Sequence, residues 1–238
     1  MPITVQITSH GRSDEQGFYF LAKNQNREDV ERLRTSELVD MLQALRTKTG
    51  TPYIIFQTIS CRGGMFLQEF ESLPAAKREG IHVFVHTGGV QEVGSLGKED
   101  LLANGQRGTE DLLTRQITLM INQIKTPYSN QMNVFVRGYV NGKEFNPLEQ
   151  SVYRSIKEKG AADPFTRELQ LLLQLQKAEK STVENAMEQL RQVRPYVDFM
   201  TGPYWEGKLV FHDIYFNKEV KSYVLDTAQK MKAGTFFD

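Results

Sequence analysis

The sequence has a single cysteine, Cys61, and a single tryptophan among its 238 residues. One cysteine excludes an internal disulfide and any zinc site built from several cysteines. Acidic and basic side chains are equal in number, 29 of each. No overall field therefore attracts nucleic acid or an anionic membrane, and nucleic-acid binding is not indicated. No apolar run approaches the roughly 18 residues that a membrane-spanning helix needs.

Residues 1–11 lack the basic segment followed by an apolar one that marks a secretory signal. We therefore expect a soluble, cytoplasmic protein that does not contact a membrane. Hydrophobic residues make up 39% of the chain and charged residues 24%, which is ordinary for a globular protein. The chain is long enough to bury a sizeable core in one large domain or two small ones.

Strand-like and helix-like segments both occur along the chain, which predicts an α+β (mixed α/β) fold. Period-two alternation and short β-branched runs predict strands, and apolar residues at helical spacing behind capping residues predict helices. The predicted strands are 3–8, 17–22, 53–59, 81–86, 132–140, 143–145 and 208–216. The predicted helices are 36–49, 75–79, 110–126, 147–159, 164–180, 182–193 and 219–232.

The order of these segments predicts two parts. Residues 1–107 would form a mixed sheet with helices, and residues 108–238 a helix-rich half with a β-hairpin and a late strand. The division falls in a glycine-containing stretch without clear periodicity, and long connections of this kind are typically lids, binding loops or linkers. One continuous domain is the alternative.

Strand pairing follows from the lengths of the connections. Strands 3–8 and 17–22 are predicted to form an opening hairpin. Strands 53–59 and 81–86 are predicted to be parallel neighbours, because the chain between them is long enough for a crossover.

The strand 81–86 and the loop that follows it form the strongest candidate for a ligand site. The strand runs directly into Thr87, Gly88 and Gly89. Open α/β sheets bind ligands at the carboxyl ends of their strands, and backbone amides of a glycine-rich turn can bind an anion. We therefore predict that Thr87, Gly88 and Gly89 bind a ligand. A tight turn that requires positive φ is the alternative.

Cys61 and His86 are the candidate catalytic residues. Cys61 follows the strand 53–59 and precedes Arg62, whose charge favours a thiolate. If strands 53–59 and 81–86 are neighbours, Cys61 and His86 lie at the same end of the sheet, where a histidine can activate a thiol. An inert buried cysteine is the alternative.

Cofactor and metal motifs are absent from the sequence. The glycines after His86 match neither G-x-G-x-x-G nor G-x-x-x-x-G-K-[ST], because Glu99 follows Gly97 and Lys98. His82 and His86 lie about 13 Å apart along one strand, which is too far for both to bind one metal ion. We therefore expect neither a cofactor nor a bound metal.

Two functional hypotheses of different classes follow. The leucine-rich helices in 164–193, together with Phe236 and Phe237, predict surplus apolar surface. They favour a non-enzymatic binding or assembly protein that contacts a protein partner or a second copy of itself; burial within the chain is the alternative. The second hypothesis is an enzyme acting on a phosphate-bearing or other anionic substrate at the sheet end formed by Cys61 and residues 86–89. We prefer the first hypothesis, because no set of catalytic residues converges in the sequence, and the enzyme is the alternative.

Overall fold

The computed structural model describes residues 1–23, 30–87, 111–125, 134–177, 183–194, 199–201, 211–214 and 217–234. These residues confirm a mixed α+β fold. The strands are β1 (Ile3–Thr8), β2 (Gly11–Asp14), β3 (Gly17–Lys23), β4 (Val30–Arg34), β5 (Ile54–Ile59), β6 (Ile81–Val85), β7 (Arg137–Val140), β8 (Lys143–Phe145), β9 (Phe199–Thr201) and β10 (Phe211–Ile214). The helices are α1 (Thr35–Thr49), α2 (Gly63–Ser72), α3 (Ala75–Arg78), α4 (Leu112–Lys125), α5 (Pro147–Lys159), α6 (Pro164–Lys177), α7 (Val183–Val193) and α8 (Lys218–Gly234).

The central sheet has the strand order β1-β5-β6-β7-β8 in the described part of the chain. Strands β1, β5 and β6 are parallel, and β7 and β8 complete the sheet in antiparallel orientation. The predicted parallel pairing of β5 with β6 is therefore confirmed. Helix α2 lies in the crossover between them.

The predicted opening hairpin is wrong. β1 pairs in parallel with β5, whereas β3 pairs with β2 and β4 in a separate antiparallel sheet. Period-two alternation identifies a strand but does not identify its partner. The polar segment β2 was missed because the residues that it buries are Gly11 and Ser13 rather than apolar side chains.

Two cores cover the two faces of the central sheet. Alternate residues of β5 and β6 pack against β3, α1 and α2 on one face. Ile55 and Phe84 point to the other face, where they pack with residues of α4, α5, α6, α7 and α8. Strands from both sides of the predicted division at 107–108 thus share one sheet. The division itself lies outside the described residues.

Local sequence signals in the second half are confirmed. The side chain of Asn146 accepts a hydrogen bond from the backbone N–H of Glu149 at 3.2 Å, and Pro147 occupies the first turn of α5. Asn141 and Gly142 have φ values of 51° and 79°, as a type I′ turn requires between β7 and β8. Strand β7 is shorter than predicted, since it spans Arg137–Val140.

Most leucines of α6 are buried within the chain, and Leu173 is partly buried. Leu169, Leu172 and Leu175 all belong to the core on the helical face of the sheet. The predicted boundary between the helices 164–180 and 182–193 lies within 178–182, and these residues, like Phe236 and Phe237, lie outside the described part. Among the described helices, none combines the length and apolar character needed to cross a membrane.

Candidate functional site

Cys61 lies at the turn between β5 and α2, and its side chain is half-buried. β5 lies between the parallel strands β1 and β6, so all three strands have their carboxyl ends at the same end of the sheet. A histidine follows each of the two neighbouring strands: His10 follows β1, and His86 follows β6. Carboxyl ends of parallel strands are where α/β sheets place functional groups.

His86 is fully buried, and glutamine amides contact both nitrogens of its ring. Its Nε2 lies 2.9 Å from Nε2 of Gln57, and its Nδ1 is hydrogen-bonded to Oε1 of Gln123. Since the Gln57 nitrogen is a donor and the Gln123 oxygen an acceptor, the ring carries its proton on Nδ1. Burial lowers the pKa of His86 to about 4. His86 is therefore a neutral ring held by amides, and its two nitrogens are engaged away from the thiol.

Thr87, which follows β6, is hydrogen-bonded to the backbone at the start of α2. Its hydroxyl donates to the carbonyl oxygen of Ser60 at 2.7 Å and accepts a hydrogen bond from the N–H of Gly63 at 2.7 Å. This hydroxyl thus bridges two backbone segments around Cys61. Gly88 and Gly89 lie outside the described residues, so ligand binding by Thr87, Gly88 and Gly89 stays a prediction.

His10 lies on the other side of Cys61. The paired residues Thr8 and Ile59 end the register between β1 and β5, and His10 and Cys61 stand two positions beyond them on their strands. A Cβ atom placed on Gly11 would clash with the carbonyl oxygen of Cys61, so the two backbones are in contact. The pairing therefore brings His10 to the cysteine-bearing turn.

Ser9 and His10 are both hydrogen-bonded to the backbone of β3. The carbonyl oxygen of His10 accepts a hydrogen bond from the N–H of Leu21 at 2.9 Å, and the Ser9 hydroxyl donates to the carbonyl oxygen of Leu21 at 2.5 Å. His10 itself is exposed. The backbone therefore places an exposed histidine on the segment next to the half-buried Cys61, and a cysteine nucleophile needs a base on a neighbouring segment that can reach it.

Sequence reasoning did not bring His10 and Cys61 together, although a sequence pattern linking the two positions was present. One local signature of cysteine peptidases has a cysteine followed by arginine and glycine, with a histidine about 50 residues upstream. Cys61, Arg62 and Gly63 match the first part, and His10 lies at the matching distance. The two residues before the cysteine, Ile59 and Ser60, differ from that signature.

A second polar cluster lies away from this sheet end. The buried Arg137 of β7 donates to Glu144 Oε1 from Nε at 3.0 Å and from Nη2 at 2.7 Å, and its Nη2 lies 3.7 Å from Glu71 Oε2. Burial raises the pKa of Glu71 to about 7. Burial opposes ionisation of Glu144 as well, but the charge and hydrogen bonds of Arg137 outweigh it and lower the pKa. This cluster ties α2 to the β7–β8 hairpin.

Metal-binding geometry does not occur in the part of the chain that the structure describes: no group of three histidine, cysteine or acidic side chains is arranged to hold an ion. Comparisons with family models, with curated proteins and with solved structures found no match. The functional conclusion therefore depends on the geometry at the carboxyl ends of β1 and β5.

Proposed function

We propose that the protein is a cysteine-dependent hydrolase in which Cys61 is the nucleophile and His10 the general base. One observation carries this proposal: the register of β1 with β5 places His10 and Cys61 at equivalent positions beyond a paired strand end, with Gly11 against the Cys61 carbonyl. A thiol and an imidazole on neighbouring segments perform acyl transfer when the two side chains come within hydrogen-bond reach of each other.

The chemistry is a two-step acyl transfer. His10 takes the proton of the Cys61 thiol, and the thiolate attacks the carbonyl carbon of an amide or ester. The leaving group departs with the proton from His10, and a thioester with Cys61 remains. Water, deprotonated by His10, then attacks the thioester, which releases the carboxylic acid and regenerates the thiol.

The proposed site lies at the same end of the sheet as in the second sequence hypothesis, but His10 rather than His86 is the base. His86 is buried between Gln57 and Gln123, whereas His10 is exposed to solvent and can exchange protons with it. The charge of the substrate stays a prediction, because Gly88 and Gly89, which were to bind an anion, lie outside the described residues.

The assembly hypothesis also stays a prediction. Its main support was the apolar surface of 164–193, and the described leucines of α6 pack inside the core of the same chain. Light scattering at micromolar concentration would test for a homo-oligomer or a larger complex. A cytoplasmic location remains part of the proposal, because a reducing compartment would keep the single thiol active.

The experiment uses p-nitrophenyl acetate, an activated ester small enough to need no specific binding pocket. We expect a burst of one equivalent of p-nitrophenol and the mass of one acetyl group on Cys61. Cys61→Ala should abolish both, and the same chain unfolded in urea gives the rate of an unassisted thiol. A burst in the folded protein no faster than in the unfolded chain would overturn the proposal.

A further inference from the structure

Arg62 has an unusual backbone conformation directly after the nucleophile. Its φ and ψ are 59° and 25°, in the left-handed region that residues with a Cβ rarely adopt. The residue is only 4% exposed, although its side chain carries a guanidinium group. Strained backbone next to a functional group persists only when surrounding contacts hold it in place.

One contact that holds Arg62 joins the turn between β5 and α2 to the β2–β3 hairpin, which follows His10. Arg62 Nη1 donates a hydrogen bond to the Ser13 hydroxyl at 3.0 Å, and Ser13 is itself buried. Ser13 lies in β2, which begins at Gly11 immediately after His10. One end of this hydrogen bond thus lies next to Cys61 in sequence and the other lies three residues from His10.

We infer that the Arg62–Ser13 hydrogen bond is a positioning contact that sets His10 against Cys61, an inference that rests on the proposed function of that pair. Loss of this bond removes one buried side-chain contact between β2 and the turn before α2. Arg62 also carries a charge that favours the thiolate. Ser13→Ala separates the two effects, because it removes the hydrogen bond and keeps the charge.

The single cysteine makes the test direct, since iodoacetamide alkylation reports on Cys61 alone. The rate is measured against pH for the wild type, His10→Ala, Ser13→Ala and Arg62→Lys. We expect the His10→Ala profile to follow an ordinary thiol with a pKa of about 8.5, and the wild type to react at lower pH. Ser13→Ala should lie between them, with alkylation at pH 7 slowed about three- to tenfold, and Arg62→Lys should change in the same direction.

Ser155→Ala is the matched control, because it removes a buried serine hydroxyl that is hydrogen-bonded to Thr166 at 2.7 Å in another part of the fold. Its profile should coincide with that of the wild type. Urea unfolding confirms that each variant is folded at the pH of the assay. If one variant of the Arg62–Ser13 pair does not fold, the other carries the test.

The outcomes separate the two proposals. If His10→Ala shifts the profile while Ser13→Ala and Arg62→Lys both match the wild type, the positioning role is overturned and the hydrolase proposal stands. If His10→Ala itself leaves the profile unchanged, the catalytic pair is overturned and the positioning role with it. Graded shifts in the order wild type, Ser13→Ala, His10→Ala support both.

Discussion

Two histidines follow the strands on either side of β5, which leads to Cys61, and they differ in exposure and in hydrogen bonding. His10 follows the edge strand β1 and is exposed, whereas His86 follows the central strand β6 and is completely buried. Two glutamine side chains bind the ring of His86, and burial lowers its pKa to about 4. A general base needs a ring nitrogen that is free to take a proton, and both nitrogens of His86 are already hydrogen-bonded, so the exposed histidine is the better candidate for catalysis and the buried one belongs to the core.

The proposed difference between His10 and His86 is tested most directly by removing each ring in turn and measuring acylation of Cys61. His10→Ala should slow the burst with p-nitrophenyl acetate by roughly 10²–10⁴-fold, the range typical for loss of a general base. His86→Asn should slow it less than threefold, because the ring of His86 is bonded to Gln57 and Gln123 rather than to the thiol. Stopped-flow absorbance of p-nitrophenol measures both rates. The reverse ranking of the two variants would assign the base to His86.

Much of the sheet could be predicted from the sequence, including the parallel pairing of β5 with β6, whereas the pairing of β1 could not. The apolar β-branched run of β5 and the Asn141-Gly142 turn report on their own neighbourhood, and both were interpreted correctly. The partner of β1 is fixed by contacts with residues about 50 positions away, as in the pair Val5–Phe56. No local pattern encodes such a pairing.

The error in strand pairing explains why the sequence did not bring His10 and Cys61 together. A hairpin of residues 3–8 with 17–22 would place His10 in a connecting loop unrelated to Cys61. Once β1 pairs with β5, the same residue arrives at the cysteine turn. Burial of His86 depends likewise on Gln123 of α4, which packs onto the sheet from a distant part of the sequence. The position of Cys61 after a buried strand was local information, and the sequence sufficed to single it out.

Removal of the same two rings should affect the free energy of unfolding in the opposite order, with the larger loss for His86. His86→Ala leaves the buried Gln57 amide without its partner and opens a cavity, so we expect the free energy of unfolding to fall by about 3 kcal/mol. His10→Ala removes an exposed side chain and should change it by less than about 0.5 kcal/mol. Urea unfolding at pH 7.5 measures both. Equal losses in the two variants would mean that the two rings do not differ in this way.

The buried histidine should also make stability depend on pH. The pKa of His86 is about 4 in the folded protein, below the ordinary value of 6.5, so the unfolded chain binds more protons between these values. The stability is therefore complete above pH 6.5 and is lost as the pH falls towards 4. The expected loss between pH 7 and pH 5 is about 2 kcal/mol.

His86→Asn is the control for this pH dependence. Glu71 acts in the opposite direction, because its raised pKa of about 7 makes its contribution fall as the pH rises from its ordinary value of 4.5 towards 7. The difference between the wild type and His86→Asn cancels that contribution. This difference should shrink as the pH is lowered from 7 to 5; a constant difference would show that His86 titrates normally in the folded protein.

The smallest effect comes from changing the partner of His86 rather than the ring. Gln123→Glu would place a carboxylate against Nδ1 of His86, and an adjacent opposite charge should raise the pKa of the imidazole by about one unit, equivalent to about 1.4 kcal/mol. A pH titration of the His86 ring by NMR measures the shift.

The same variant discriminates between the two histidines in function. A carboxylate behind a catalytic imidazole increases its basicity, so faster acylation of Cys61 in Gln123→Glu would identify His86 as the base. Because His10 is the base in the proposed mechanism, the pKa of His86 should rise while the rate of acylation stays within about twofold of the wild type, a change of less than about 0.5 kcal/mol.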